Sequence, residues 1–169
     1  MRLAAGLGAR VLINRVGEVP ASDDHFAGSV MGEVLEDLGR EGQKAGVWLA
    51  ADTGFESGPD LARLIATLPD GALAINLNPG QLITHGYSAV QAVEVLGSHI
   101  QHVYANDAVR DLAQGRGLEV QLGRGSVDYP AILGALEERN YRGYFTIVRR
   151  EATDPVGEIG QAVQFLSNI

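Results

Sequence analysis

Gly143-Tyr-Phe-Thr-Ile-Val-Arg-Arg-Glu151 holds the run that decides the fold. Tyr144 to Val148 is aromatic and β-branched, opened by a glycine and closed by charge, which predicts a strand. Before it, Pro130 sits where a helix favours proline, and the helix runs through Glu138. After it, Ile159, Val163 and Leu166 recur at helical spacing, so a helix is expected from about Val156 to Leu166. The strand lies between two helices.

The same alternation extends toward the N-terminus. Val11–Ile13, Val47–Ala51, Leu73–Leu77 and Ile100–Ala105 are short, nearly continuous apolar runs stopped by Gly, Pro, Asp or Asn. Such runs fit strands covered by helices on a buried sheet. Helical stripes separate them: Val30, Val34, Leu35 and Leu38; then Leu61, Leu64, Ile65 and Leu68; then Val90, Val93 and Leu96. Five strands alternating with helices imply parallel βαβ units and an α/β fold. Asp107 to Asp128, rich in Gly, Arg and Asp, reads as the longest irregular stretch. No glycine-rich dinucleotide motif follows any strand. No linker or low-complexity segment divides the chain, so residues 1–169 are expected to form one domain.

Composition narrows the function. The chain has 169 residues, 46% of them hydrophobic and 20% charged, as in an ordinary globular domain. Its net charge of −8 and pI near 4.9 disfavour nucleic acid and anionic membrane partners. There is no cysteine, which excludes disulfides and thiolate chemistry. No apolar run approaches the roughly 20 residues of a membrane span, and Gly6 and Gly8 interrupt the only stretch resembling a signal peptide. A cytoplasmic location is expected.

In parallel α/β barrels, chemistry gathers at the C-terminal ends of strands. Those ends carry Asp52, Asn78, Tyr104 with Asp107, and Val148 with Arg149. Asn76 and Asn78 share one strand face, as do His102 and Tyr104. Local roles compete with functional ones. Asp52 and Asn78 precede turn residues, Asp107 can cap the following loop, and a strand histidine such as His102 is commonly a hydrogen-bonded core residue.

Five segments in order carry a resemblance: Leu49-Ala-Ala-Asp-Thr-Gly54, Ile75-Asn-Leu-Asn-Pro-Gly80, His102-Val-Tyr-Ala-Asn-Asp107, Leu122-Gly-Arg-Gly-Ser-Val-Asp128 and Gly143-Tyr-Phe-Thr-Ile-Val-Arg149. Together the set resembles the C-terminal part of the sugar phosphate isomerase/epimerase family, the xylose-isomerase-like TIM barrels, a group also similar to endonuclease IV. The resemblance implies proton transfer next to a sugar carbonyl, assisted by a divalent metal (Mn, Mg, Co or Zn) held by Glu, Asp, His and Glu. Carried over, that set falls on Asp52, Asn78, Tyr104 and Val148. Asp52 is a shorter carboxylate, Asn78 a neutral amide and Tyr104 a phenol, while Val148 replaces a glutamate with a side chain that coordinates nothing. The metal site is therefore expected to be degenerate, with Asp52 as the one remaining catalytic candidate.

Such a barrel has eight strands and usually about 250 residues. The fold expected here is a partial TIM (β/α)8-type barrel of about five βα units, lacking the first three. Its sheet would have open edges, through which a homo-oligomer can form. The candidate ligand is a small carbohydrate, with His102, Asp107, Arg110 and Arg116 as candidate substrate-binding residues. The function expected is that of a sugar (phosphate) isomerase/epimerase with impaired metal chemistry. A non-catalytic carbohydrate-binding or vestigial barrel is the alternative, and an endonuclease IV-like DNA repair protein is a third reading that the acidic charge disfavours.

Overall fold

Five parallel strands form one sheet in the order β1 (Val11–Asn14), β2 (Trp48–Asp52), β3 (Ala74–Leu77), β4 (Ile100–Ala105) and β7 (Phe145–Ile147). This is a computed structural model, and it describes residues 1–19, 29–111 and 116–169, with the side chains at positions 111 and 116 outside the description. Each strand lies beside the next βα unit in sequence, so the sheet curves as a half-barrel. The α/β fold and the five parallel βα units expected from the apolar runs are both present.

Helices alternate with the strands: α1 (Arg2–Gly6), α2 (Val30–Ala45), α3 (Gly58–Ala66), α4 (Pro79–His85), α5 (Ala89–Leu96), α6 (Tyr129–Glu138) and α7 (Pro155–Ser167). Their starts follow from sequence. Ser29, Ser57, Asn78, Ser88, Asp128 and Asp154 each accept a backbone N–H from the first turn of the helix they open. Proline occupies the first turn of α3, α4, α6 and α7, where its missing N–H costs nothing.

The two sheet faces have different chemistry. Leu49, Ala51, Ile75, Leu77 and Val103 meet Leu61, Leu64, Leu82, Val93, Leu96, Ile132 and Leu136 in the main core. The concave face, the inside of the half-barrel, carries Ala50, Asp52, Asn76, His102 and Thr146. A smaller core joins Ala105, Leu122, Tyr129 and Ala162 under α7. Among the described residues, no helix is long and apolar enough to cross a membrane.

Two elements differ from the sequence reading. The stretch taken as irregular contains an antiparallel hairpin, β5 (Asp107–Asp111) with β6 (Arg116–Val120). In β6 the apolar Leu118 and Val120 alternate with Gly117 and Glu119, a period-two pattern hidden by the high glycine and charge content. The single helix expected after Pro79-Gly80 is also two helices. Gly86 takes a left-handed conformation (φ 82°) that ends α4, and Ser88 then caps α5.

Candidate functional site

Strand register assembles the polar row. Asp52 pairs with Asn76, Asn76 with His102, and Tyr104 with Thr146. Because strand side chains alternate, these partners reach the same concave face. Residues far apart in sequence thus become neighbours with no loop needed to bring them together.

Asp52 is 8% exposed and lies at the centre of the row. Asn76 Nδ2 donates to its Oδ1 at 2.7 Å, and Asn78 Nδ2 donates to Oδ1 at 3.0 Å and to Oδ2 at 3.2 Å. Burial raises the Asp52 pKa; the amide hydrogen bonds of Asn78 and Asn76 and the charges of Arg150 and Arg15 oppose that rise.

The Asp52 charge orders the rest. With its NH2 turned to Asp52, Asn76 presents Oδ1 to His102 Nδ1 at 2.7 Å. A carbonyl oxygen only accepts, so His102 carries its proton on Nδ1. Burial lowers the His102 pKa, partly offset by Asp52, which favours neutral imidazole. In that form His102 Nε2 accepts from the Thr146 hydroxyl at 2.8 Å. Asn78 is oriented the same way: its Oδ1 accepts from Asn106 Nδ2 at 2.8 Å and from the Gln81 N–H at 3.3 Å. Asn106 Oδ1 in turn accepts from the Gly80 N–H at 2.9 Å. Asn78 thus caps α4 and holds Asp52 at once, so the turn role and the site role coexist in one side chain.

Tyr104 stands on the same face, its ring edge-on to His102 with centroids 5.3 Å apart. Burial raises its pKa, Asp52 adds to the rise, and Arg150 opposes it, so the phenol keeps its proton. Val148 follows β7 and is half-buried; its N–H donates to the Ala105 carbonyl at 3.0 Å. Asp52 and Asn78 are therefore in contact, Tyr104 lies within reach of the Asp52 charge, and Val148 contributes only backbone. Among the described residues, no three His, Cys, Asp or Glu side chains come together as a metal cluster.

The remaining sequence candidates lie elsewhere. Asp107 is 1% exposed, and its carboxylate accepts four backbone N–H groups, from Ala108, Gly123, Gly125 and Val127 at 2.9–3.1 Å. It clamps the loop before α6, which is the capping role. Arg110 is exposed on β5 and packs over Gly86 at the end of α4. The Arg116 side chain lies outside the described residues. Arg149 is held between Glu119 (2.8 Å) and Glu158 (2.6 Å), tying β6 and α7 to the end of β7.

Thr146, Asn106, Arg15 and Arg150 were not singled out from sequence. Strand alternation places Thr146 on the face of Val148, which is a usable signal. Asn106, Arg15 and Arg150 lie just beyond strand ends, and only the folded chain shows what they approach.

A family model described as xylose isomerase-like TIM barrel matches residues 1–169. Among solved structures, a xylose isomerase domain protein from Planctomyces limnophilus is 28% identical with a TM-score of 0.86. The match covers 98% of this chain and 61% of that one. A xylose isomerase-like TIM barrel protein from Mycobacterium smegmatis, in complex with magnesium, is 16% identical with a TM-score of 0.70, covering 96% of this chain and 61% of that one. A D-allulose 3-epimerase from Methylomonas sp., in complex with D-allulose, is 15% identical with a TM-score of 0.73, covering 98% and 65%. The latter two likenesses concern the fold. The chain spans less than two thirds of the length of these proteins. No curated protein matches it.

Proposed function

The chain belongs to the xylose isomerase-like TIM-barrel family, and from that premise we propose that it binds a carbohydrate at its strand ends, with the family's metal-assisted isomerase or epimerase chemistry impaired. The state of Asp52 carries this reading. It is the one carboxylate in the polar row, and both its oxygens already accept amide protons from Asn76 and Asn78.

The donor set does not fit a divalent cation. Hard cations favour several oxygen donors, with carboxylates supplying the charge. Here Asn78 turns its NH2, not its oxygen, toward Asp52. Tyr104 stays protonated, and Val148 has no donor atom. Proton transfer next to a carbonyl also needs an acid and a base on the substrate carbon. Asp52 is one candidate, while the neutral His102 nitrogen already accepts from Thr146. Loss of one such partner typically removes about 10²–10⁴-fold in rate.

What the row does offer is hydroxyl recognition. Asn, Thr, Tyr and Asp side chains held by one another present fixed donors and acceptors along a concave face, and such pre-ordering reduces the entropy lost on binding. A structural neighbour solved with D-allulose supports a sugar as the ligand class.

Metal content of the purified protein, with D-allulose calorimetry in the presence and absence of a chelator, tests this. The expected result is substoichiometric metal, sugar heat indifferent to chelator and weakened by Asp52→Ala, and no turnover above background. One divalent ion per chain, lost in Asp52→Ala and required for turnover of the sugar, overturns it.

A further inference from the structure

Beside the polar row, at the same end of the sheet, lies a cavity of about 460 Å³ whose walls include Phe55, Gln81, Thr84, His85, Glu119 and Arg150. That volume falls in the range of about 300–1,000 Å³ occupied by small-ligand pockets. The cavity adjoins the site through Gln81, whose N–H donates to Asn78 Oδ1.

Two arginines stand over this region. The Arg15 guanidinium carbon lies 3.6 Å from the centroid of the Phe55 ring. The Phe55 ring also meets His85, with ring centroids 4.6 Å apart. His85 Nδ1 is fixed 2.9 Å from the Gln81 carbonyl, so the layered set of Arg15, Phe55 and His85 is tied to α4. Arg150 lines the same cavity, and its backbone N–H donates to Glu119 Oε1 at 2.7 Å.

Among the described residues, no carboxylate comes within ion-pair distance of Arg15 or Arg150. The contrast with Arg149, neutralised by two glutamates, is sharp. Glu119 is engaged with Arg149. Glu151 also borders the cavity but is exposed, and Glu56 feels the Arg15 charge from outside ion-pair range. Both arginines act electrostatically on Asp52. In a chain of net charge −8, one guanidinium on the cavity wall and a second stacked on its Phe55, neither ion-paired among the described residues, call for an anion. Guanidinium groups bind carboxylate and phosphate oxygens through paired N–H donors.

We propose that this rim cavity is an anion subsite: Arg15 and Arg150 hold a carboxylate or phosphate borne by the carbohydrate, so the ligand is a sugar acid or sugar phosphate. The inference rests on the carbohydrate reading above and names the ligand class for that same site.

The test titrates inorganic phosphate and acetate alone, then D-fructose, D-fructose 6-phosphate and D-glucuronate, into the wild type and the Arg15→Gln/Arg150→Gln variant. Both positions are exposed, and circular dichroism checks the fold; Arg150→Gln alone serves if the double variant is unstable. At least one anion is expected to bind and to weaken ten-fold or more in the variant. The preference for the matching anionic sugar over D-fructose is expected to fall toward unity, and the anion that binds identifies the group. The subsite is overturned if neither anion binds, or if the variants bind them as well as the wild type. D-fructose binding without any anion effect defeats the subsite alone. Arginine-dependent phosphate or acetate binding with no affinity for any sugar upholds the subsite and defeats the carbohydrate reading.

Discussion

Asp52 and His102 are joined through one asparagine, yet burial moves their titrations in opposite directions. The Asp52 pKa is raised above the unfolded value of about 3.9. Between those two values the folded chain holds a proton that the unfolded chain has released. Stability therefore falls as pH rises through that window, and the loss persists at higher pH. The His102 pKa is lowered from about 6.5. Its contribution is complete above that value and is lost as pH falls toward the folded pKa, because the unfolded chain then binds the extra proton. Urea midpoints from pH 3.5 to 8 separate the two. Asp52→Asn keeps an acceptor for Asn76 and Asn78 but removes the charge, so its gain over wild type is expected to be larger at pH 7 than at pH 4. His102→Gln sacrifices hydrogen bonds worth about 1 kcal/mol each, yet it should lose less stability than wild type between pH 7 and pH 5. Curves parallel to wild type in both variants would refute the assignment.

At the scale of elements, Asp107 fastens the segment between the hairpin and α6. Four backbone N–H groups converge on one buried carboxylate, and a Cβ on Gly125 would overlap it. Asp107→Ala leaves those donors without an acceptor and is expected to cost about 3 kcal/mol or more, since a hydrogen bond to a charged group is worth about 1.5–3 kcal/mol. Denaturant unfolding measures the loss, and limited proteolysis should show earlier cleavage at residues 123–127. A change under about 0.5 kcal/mol, the usual range for an ordinary surface position, would contradict the clamp. This element also marks where sequence reading runs out. The five strands were legible because each is an apolar run between breakers, and strand alternation put Asn76 with Asn78 and His102 with Tyr104. The hairpin was not, because its apolar residues are diluted by glycine and charge. The α4–α5 break was not, because it depends on the backbone conformation at Gly86. In the site, the positions at strand ends could be read, but their bonding could not. Asp52 and Asn78 are 26 residues apart, and His102 and Thr146 are 44 apart. Only the sheet register makes them partners.

For the whole molecule, the consequence of a five-stranded half-barrel is two outer strands, β1 and β7, each paired on one side among the described residues. The lower part of the concave face presents Val11, Trp48 (39% exposed) and Tyr144 (83% exposed). Open edges beside exposed aromatic side chains favour association with another chain. The net charge of −8 works against it, since two copies must approach as like charges. Screening decides the balance: the Debye length shrinks from about 30 Å at 0.01 M salt to about 8 Å at 0.15 M. Light scattering is therefore expected to give a mass near 17.9 kDa in dilute low-salt buffer, rising with protein concentration and further with salt. The indole of Trp48, the one tryptophan in the chain, should shift its emission to shorter wavelength as the concave face is covered. A mass that stays monomeric across both series, with unchanged emission, would mean that charge and side-chain cover protect these edges without a second copy.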